Sequence, residues 1–225
     1  MTKASVLRNI TVALLSWAFL QSTTGFASIV YDNSTSDLNR SYFAGNGVEF
    51  GDEIFLQGAD RTITEFRFET YLSSGPSGNE IGQLFLRLND GPSEGGSGRN
   101  TPGTVFYQSP TFKLGTLRQT VIVSGLSVTV PGNADHFTWS VVINGIDTGE
   151  QTGLLLYDNP TIGSSYADFW KNDGGQWNTF LVDGGATQAN FAAQIRAVPE
   201  PSTLAMGVAG ALVVLGGLSW RRRSA

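Results

Sequence analysis

The central part of the chain alternates hydrophobic and polar positions with a period of two. The segment RTITEFRFETYL separates two sets of side chains: Thr62, Thr64, Phe66, Phe68 and Leu72 in one, and Arg61, Glu65, Arg67 and Glu69 in the other. Successive side chains of a β-strand point to opposite faces of a sheet. The pattern therefore predicts a half-buried strand with its aromatic side inward.

The same period recurs through residues 28–197. GQLFLRLND groups Leu84, Leu86 and Leu88 inward, and DHFTWSVVIN groups Phe137, Trp139, Val141 and Ile143. Further candidate strands, rich in β-branched and aromatic residues, are TVIVSGLSVTV, GTVFYQ, GLLLYD, NTFLVD and NFAAQIRA. Glycine-containing turns separate them, and no amphipathic helix pattern intervenes. The sequence predicts about eight to ten strands in one β-sandwich or jelly-roll-like domain, with residues 90–103 as a mobile hairpin loop.

The N-terminus has the layout of a secretory signal peptide. Lys3 and Arg8 precede an apolar stretch over residues 10–20, and the small residues Gly25 and Ala27 follow it. This predicts a signal peptide over residues 1–27, cleaved between Ala27 and Ser28. The alternative is an N-terminal anchor, but the apolar stretch is short against the roughly 20 residues that span a bilayer.

The C-terminus has the pattern of a second membrane segment. Residues 203–220 contain no charged residue. As a helix they would reach roughly 27 Å, just enough for a bilayer core. Arg221, Arg222 and Arg223 follow the segment and fit a cytoplasmic stop under the positive-inside rule. We therefore expect a transmembrane helix over residues 203–220 with the body outside, and a permanent tail anchor is the simpler alternative.

A short motif stands directly before this segment. Val198, Pro199, Glu200 and Pro201 lead into the apolar residues, and prolines lack amide protons and resist helix. The order of motif, apolar segment and arginines resembles the PEP-CTERM sorting signal of Gram-negative bacteria, over residues 198–225. The resemblance implies processing by an exosortase, a membrane-embedded cysteine transpeptidase-like enzyme. It also implies transient attachment to the inner membrane and export to the envelope or exterior, often alongside exopolysaccharide.

The body also resembles a recurrent domain of such exported proteins. The resemblance lies in FGDEIFLQGADRTITEFRFETY, LRLNDGP and GLLLYDNPTIGSSYADFW. The activity of that domain is unknown, so the likeness bears on the fold alone.

Charge and cysteine content narrow the classes of function. Residues 28–197 hold nine Lys/Arg and 18 Asp/Glu, a formal net charge of −9. An acidic domain is repelled by phosphate backbones, so nucleic-acid binding is not expected. The chain has no cysteine, which excludes disulfides, thiol nucleophiles and thiolate metal sites.

The residues give little support to catalysis. His136 is the only histidine, and we expect it at the start of a strand. A Ser-His-Asp triad would have to use it, and a three-histidine zinc site is impossible. GxSxG occurs once, as GPSEG at residues 91–95, but in the glycine-rich loop and not at the strand-to-helix turn of a nucleophile elbow, and no GK[ST] phosphate loop is present. We expect no enzyme activity, cofactor or metal, while a carboxylate pair for glycoside hydrolysis stays open.

Residues 157–177 combine acids, amides and aromatic side chains. The weak ligand candidates there are Asp158, Asp168, Trp170, Asp173 and Trp177. Oxygen ligands on loops suit calcium, and exposed aromatic faces suit sugar rings. The spacing matches no EF-hand loop, and turns and cores draw the same residue types. The simpler interpretation is core aromatics with turn-forming Asp and Asn.

The sequence thus predicts an exported, non-enzymatic all-β protein of the envelope or extracellular matrix. Its segments are a signal peptide (1–27), a β-sandwich (28–197) and a sorting signal (198–225). The expected partners are an exosortase, transiently the inner membrane, and exopolysaccharide. The alternatives are a carbohydrate-binding module, with or without calcium, and a polysaccharide hydrolase that uses two carboxylates.

Overall fold

The computed structural model describes residues 26–73, 77–187 and 190–200. Ala27–Val198 form one compact unit. Its strands lie in two antiparallel sheets, and the described residues contain no α-helix, only two 3₁₀ turns at Pro131–Asn133 and Val182–Gly185. The all-β prediction is confirmed. The predicted transmembrane helix over 203–220 and nearly all of the predicted signal peptide lie outside the described residues.

Seven strands form the first sheet: β1 (Ser28–Asn33), β2 (Asp37–Tyr42), β4 (Thr62–Leu72), β8 (Leu117–Thr129), β10 (Thr152–Tyr157), β14 (Asn190–Phe191) and β15 (Ala193–Val198). Eight form the second: β3 (Glu49–Phe55), β5 (Ile81–Arg87), β6 (Val105–Gln108), β7 (Phe112–Lys113), β9 (His136–Asn144), β11 (Ser164–Ser165), β12 (Phe169–Asp173) and β13 (Gln176–Phe180).

The strand order places the first and last strands of the body side by side. The first sheet runs β1-β15-β4-β10-β14, with β8 beside β4 and β2 beside β10. The second runs β13-β12-β3-β9-β5-β6, with β11 beside β3 and β7 beside β5. The first strand of the body therefore pairs with its last, and β3 and β9 are central strands of the second sheet.

One hydrophobic core lies between the inner faces of the two sheets. Trp139 of β9 is fully buried, with its ring centroid 5.3 Å from that of Phe66 and 5.6 Å from that of Phe68, both on β4. Phe191 of β14 packs on the same indole at 6.2 Å. Edge-to-face and tilted contacts of this kind add to the burial of aromatic area. The predicted inward positions on β9, and Leu84 and Leu86 on β5, also belong to this core.

Three of the predicted inward positions are wrong. On β4 the core residue is Ile63 rather than Thr62 or Thr64, because the pairing register shifts between Ile63 and Glu65. Such a bulge adds one residue to the strand and inverts the alternation on one side of it. Leu88 lies beyond the end of β5, is half-buried and does not belong to the core.

The described residues contain more strands than the sequence predicted. The additional strands are β1, β12, the two-residue β7 and β11, and the polar β2 (DLNRSY) and β3 (EFGDEIF), and the predicted strand NFAAQIRA is divided into β14 and β15. Charged residues mask the strand pattern in β3, although its central position buries both faces. β3 carries three acidic residues, Glu49, Asp52 and Glu53, that matter for the candidate site.

The loop over residues 90–103 is a hairpin connection, as predicted, between β5 and β6. Its base is closed by Asp90, whose two carboxylate oxygens accept hydrogen bonds from the backbone N and the Oγ1 of Thr104, each at 2.7 Å. A single bridge pairs Ser93 with Asn100 near its tip. These bonds give the loop a defined path on which Arg99 is placed.

Candidate functional site

The motif of the predicted sorting signal begins at the end of the last strand. β15 lies between β1 and β4, and its last residue, Val198, pairs with Thr62. Pro199 follows, exposed and outside any strand. Proline cannot donate to a ladder, so the ladder ends where the prolines begin. Pro201, the segment over 203–220 and Arg221, Arg222 and Arg223 lie outside the described residues.

The predicted signal cleavage point lies at the start of the first strand. Ala27 is exposed and precedes β1, and Ser28 is its first residue. The Ser28 hydroxyl donates a hydrogen bond to Asp60 Oδ2 at 2.5 Å. Cleavage between Ala27 and Ser28 would leave β1 complete; this cleavage stays a prediction.

The five weak ligand candidates lie in different places. Asp158 is exposed at the end of β10 in the first sheet. Asp173 is the exposed last residue of β12, with Lys171 Nζ 3.7 Å from its Oδ2. Trp177 is half-buried on β13, its ring centroid 5.6 Å from the guanidinium carbon of Arg87. Only Asp168 and Trp170 come together, on the outer face of the second sheet.

Asp168 and Trp170 both contact the guanidinium of Arg99, a residue that the sequence did not identify as a candidate. Arg99 reaches from the hairpin loop and donates through Nη2 to both carboxylate oxygens of Asp168, at 2.6 and 2.5 Å. Its Nη1 donates to Glu53 Oε2 of β3 at 3.0 Å. The guanidinium carbon lies 3.8 Å from the ring centroid of Tyr166 and 5.1 Å from that of Trp170. We call these five residues the Arg99 cluster.

The electrostatics of the Arg99 cluster centre on Glu53. Burial raises the pKa of the Glu53 carboxyl. The positive charge of Arg99 offsets only part of this rise, so the pKa stays above its usual value. The indole Nε1 of Trp170 also donates to Glu53 Oε2, at 3.3 Å. Charge-assisted bonds to a guanidinium are strong and directional. The cluster therefore fastens the hairpin loop to the outer face of the second sheet.

The geometry restricts what the Arg99 cluster can do chemically. Trp170 is fully buried and offers no face to a sugar ring. Arg99 occupies the space between the carboxylates of Glu53 and Asp168, where a substrate of a carboxylate pair would have to bind. Tyr166 keeps about 40% of its surface exposed. Its hydroxyphenyl group is the part of the cluster that solvent reaches best.

A second arginine–carboxylate pair lies further along the outer face of the second sheet. Arg87 of β5 donates from Nε and Nη2 to the two carboxylate oxygens of Glu49 on β3, at 2.7 and 2.9 Å. Ser140 of β9 donates to Glu49 Oε1 at 2.6 Å. This bidentate pair joins residues on three neighbouring strands, with β9 between β3 and β5.

His136 begins β9, as expected from the sequence. Its ring stacks on Phe55 with centroids 5.1 Å apart, and its Nδ1 is 2.8 Å from Asp135 Oδ1. Its Nε2 is 4.0 Å from Glu53 Oε1. Phe55 also meets Tyr166 edge-on at 5.4 Å. Phe55, His136 and Tyr166 therefore form one small aromatic patch beside the Arg99 cluster.

Asp52 lies next to Glu53 in the chain but on the inner face of β3. It is fully buried, and burial raises the pKa of its carboxyl well above the usual range. Its Oδ2 accepts the backbone N–H of Phe191 at 2.5 Å, a hydrogen bond between the two sheets. The residues around Asp52 in the sequence do not predict that its carboxyl is buried.

No helix in residues 26–73, 77–187 or 190–200 has the length and apolar character needed to cross a membrane. In the same ranges no three acidic or histidine side chains gather closely enough to hold a metal ion.

The described residues form an all-β body, and its last strand, β15, leads directly into a C-terminal segment that begins with Pro199. The family model of the PEP-CTERM protein-sorting motif matches residues 197–223. The chain therefore carries a PEP-CTERM motif, which marks an exported protein that an exosortase sorts and that its C-terminus holds transiently at the membrane. The match includes Ala197 and Val198 of β15 and covers nothing else of the body. No curated protein and no solved structure matches the chain.

Proposed function

We propose that the body is a non-enzymatic component of the cell envelope or extracellular matrix, which lies among exopolysaccharide once the exosortase has removed the tail. The observation that carries the proposal is the PEP-CTERM motif at residues 197–223. Its position at the end of β15 supports the view of the body as cargo, since the tail follows a complete strand.

The use of the acidic residues supports a non-enzymatic body. Glu53 and Asp168 are both bonded to Arg99, and Glu49 is bonded to Arg87. Glycoside hydrolysis needs two carboxyl groups with room between them for the sugar and, in inverting enzymes, for water. A guanidinium between two carboxylates leaves no such room.

The charge of the body sets the kind of polysaccharide that it would meet. With a net charge of −9 over residues 28–197, the body would be repelled by acidic chains at low ionic strength. We therefore propose a neutral or weakly charged exopolysaccharide. Its binding would change little when salt is added, because hydrogen bonds and ring contacts are not screened as charges are.

Co-sedimentation tests this proposal. The exported protein would be purified and mixed with exopolysaccharide from the producing cells, at low and high salt, and the release of new reducing ends would be followed in parallel. We expect co-sedimentation at both salt concentrations without new reducing ends. New reducing ends would instead identify a hydrolase. A protein that stays in the supernatant would disprove the association with polysaccharide and leave the sorting unaffected.

The aromatic patch of Phe55, His136 and Tyr166 favours a second candidate, a carbohydrate-binding module. Aromatic side chains with exposed faces stack on sugar rings, and Tyr166 is the most exposed member of the patch. Binding to a glycan array by the native protein, lost in Tyr166→Ala, would support this candidate. Leu181→Ala is the matched control, because Leu181 is also exposed and lies outside the patch. Equal binding by all three proteins would exclude the patch.

A further inference from the structure

β8 is an edge strand with an unusually long free side. It is the longest strand of the body, 13 residues from Leu117 to Thr129, and within the described ranges β4 is its only partner strand. From Leu117 to Ser124 it pairs with β4 in unbroken register. The other side of an edge strand offers backbone N–H and C=O groups to any further strand.

The edge lacks the features with which proteins usually prevent such pairing. Residues 119–130 contain neither a charged residue nor a proline. Arg118, the one charged residue of the strand, is directed at Asp37 and Glu69 of the same sheet. A bulge near Gly125, whose φ is +70°, disturbs only the second half of the strand. The flat, unprotected part is therefore Arg118–Ser124, because Leu117 has a φ of +60° and departs from the extended conformation.

Apolar side chains continue along this edge on both faces. Ile122 lies on the outer face opposite Arg67 and keeps about 51% of its surface exposed. On the inner face, Val123, Leu126 and Val128 pack against the core but stay half-exposed. A strand added to this edge would cover Ile122 and Val123 and remove more of their apolar surface from water.

The charge distribution favours a second copy of this chain as that strand. The body carries a net charge of −9 over residues 28–197, so two copies repel each other over most of their surfaces. Residues 119–130 carry no charge, so contact at this edge avoids much of the repulsion. Two identical strands can pair antiparallel about a two-fold axis, which gives a closed, self-complementary interface.

We propose that the body forms a dimer through antiparallel pairing of β8 with β8 of a second copy, over Arg118–Ser124. The first sheets of the two copies then form one continuous sheet. The backbone supplies the hydrogen bonds of the interface, and the half-exposed core residues beside β8 supply its apolar area. The proposal does not depend on what the body binds.

The mass of the exported protein in solution provides the first test. Light scattering after size-exclusion chromatography, over a dilution series, should show a dimer that dissociates on dilution. Ile122→Glu should weaken dimerisation by at least about tenfold, because it brings two like charges to the interface. The glutamate faces Arg67 within its own copy, so the fold tolerates it. The control is Leu181→Glu, since Leu181 has a similar exposure of about 53% away from β8. It should leave the dimer intact.

The absence of cysteine from the chain allows a second, independent test. Single cysteines would be placed in turn at each position from Arg118 to Ser124, and at Leu181 as the control, and oxidised. In an antiparallel pair about a two-fold axis only the position on the axis faces itself. Disulfide formation should therefore peak at one position and fall on both sides. A monomer at every concentration, a dimer that Ile122→Glu leaves unchanged, or uniform cross-linking along the strand would each disprove the proposal.

Discussion

Ser28 and Ala197 lie directly opposite each other in the antiparallel ladder between β1 and β15. Ser28 follows the predicted signal cleavage point, and Ala197 is the first residue of the matched sorting motif. The two points at which the chain would be processed therefore border one pair of strands. Each strand is complete without the segment removed beside it, so the sheet can keep both strands after processing.

The first prediction concerns the N-terminus of the exported protein. We expect it to begin at Ser28, because β1 starts there and the Ser28 hydroxyl is bonded to Asp60. Edman sequencing of the exported form determines the first residue. A form that still begins at Met1 would contradict the signal peptide and indicate an anchor.

The second prediction concerns the core. Phe68→Ala should lower the free energy of unfolding by about 3–5 kcal/mol, because it opens a cavity beside Trp139. Leu88→Ala is the matched control: Leu88 belongs to the same predicted pattern but is half-buried, and its cost should be about 1 kcal/mol. Urea titration measures both. Equal costs for the two variants would contradict the placement of the core.

These two positions show what the periodicity of the sequence can and cannot predict. The alternation correctly placed Phe66, Phe68 and Trp139 inward, since a regular strand next to a core repeats every two residues. It failed at Thr64 because a bulge depends on the pairing with neighbouring strands, which the local pattern does not contain. Leu88 was misplaced because the pattern continues past the point where β5 ends.

The Arg99 cluster could be predicted only in part for a related reason. Asp168 and Trp170 were candidates from composition, but Glu53 and Arg99 are 46 residues apart, and Arg99 and Asp168 are 69 apart. A lone arginine in a glycine-rich loop has no periodic signal. The sorting motif, by contrast, could be recognised because it is a linear pattern whose recognition needs no tertiary contact.

The third prediction concerns Asp52 and pH. Burial raises the pKa of Asp52 in the folded protein above its value in the unfolded chain, so folding favours the protonated carboxyl. This contribution to stability is complete below the unfolded pKa, about 3.9, and is lost as the pH rises through the folded pKa. Asp52→Asn keeps an oxygen for the Phe191 N–H and never ionises. It should therefore be more stable than the native protein at pH 8, and less dependent on pH.

Thermal unfolding between pH 4 and 8 checks this expectation. Asp158→Asn serves as the control, since it makes the same chemical change at an exposed residue outside the core. Glu53 also has a raised pKa, so part of the pH dependence should remain in Asp52→Asn. A profile of Asp52→Asn that coincides with that of the native protein would show that Asp52 does not titrate as argued.

The fourth prediction concerns calcium in the segment from Asp158 to Asp173. We expect no tight binding, because Asp158 lies on the first sheet, and both carboxylate oxygens of Asp168 are already bonded to Arg99. In proteins, calcium is bound by about six to eight oxygen ligands. Isothermal titration with calcium after chelation measures it. Micromolar binding that disappears in Asp168→Ala would contradict the prediction and favour a calcium-assisted carbohydrate-binding module.

The last prediction concerns the tail, which we expect to be a removable sorting signal and not a permanent anchor. A short, glycine-rich apolar segment is held in the bilayer less firmly than a long leucine-rich one, since transfer free energy scales with apolar area. Arg221, Arg222 and Arg223 would keep it from being drawn through, because charges are costly in hydrocarbon. Replacing Pro199, Glu200 and Pro201 together with alanine should leave export intact and block processing. The full-length form should then accumulate in the inner membrane.

The end of β15 makes this experiment specific. The strand stops at Val198, so Pro199 and Glu200 lie outside it, and their replacement leaves the residues of β15 unchanged. Leu181→Ala, at an exposed residue outside residues 197–223, is the control and should leave processing normal. Mass spectrometry of the C-terminal peptide decides between the two views of the tail. If the native protein at its final location still ends in Arg-Arg-Arg-Ser-Ala, the tail is an anchor, because an exosortase that acts at the motif removes that sequence.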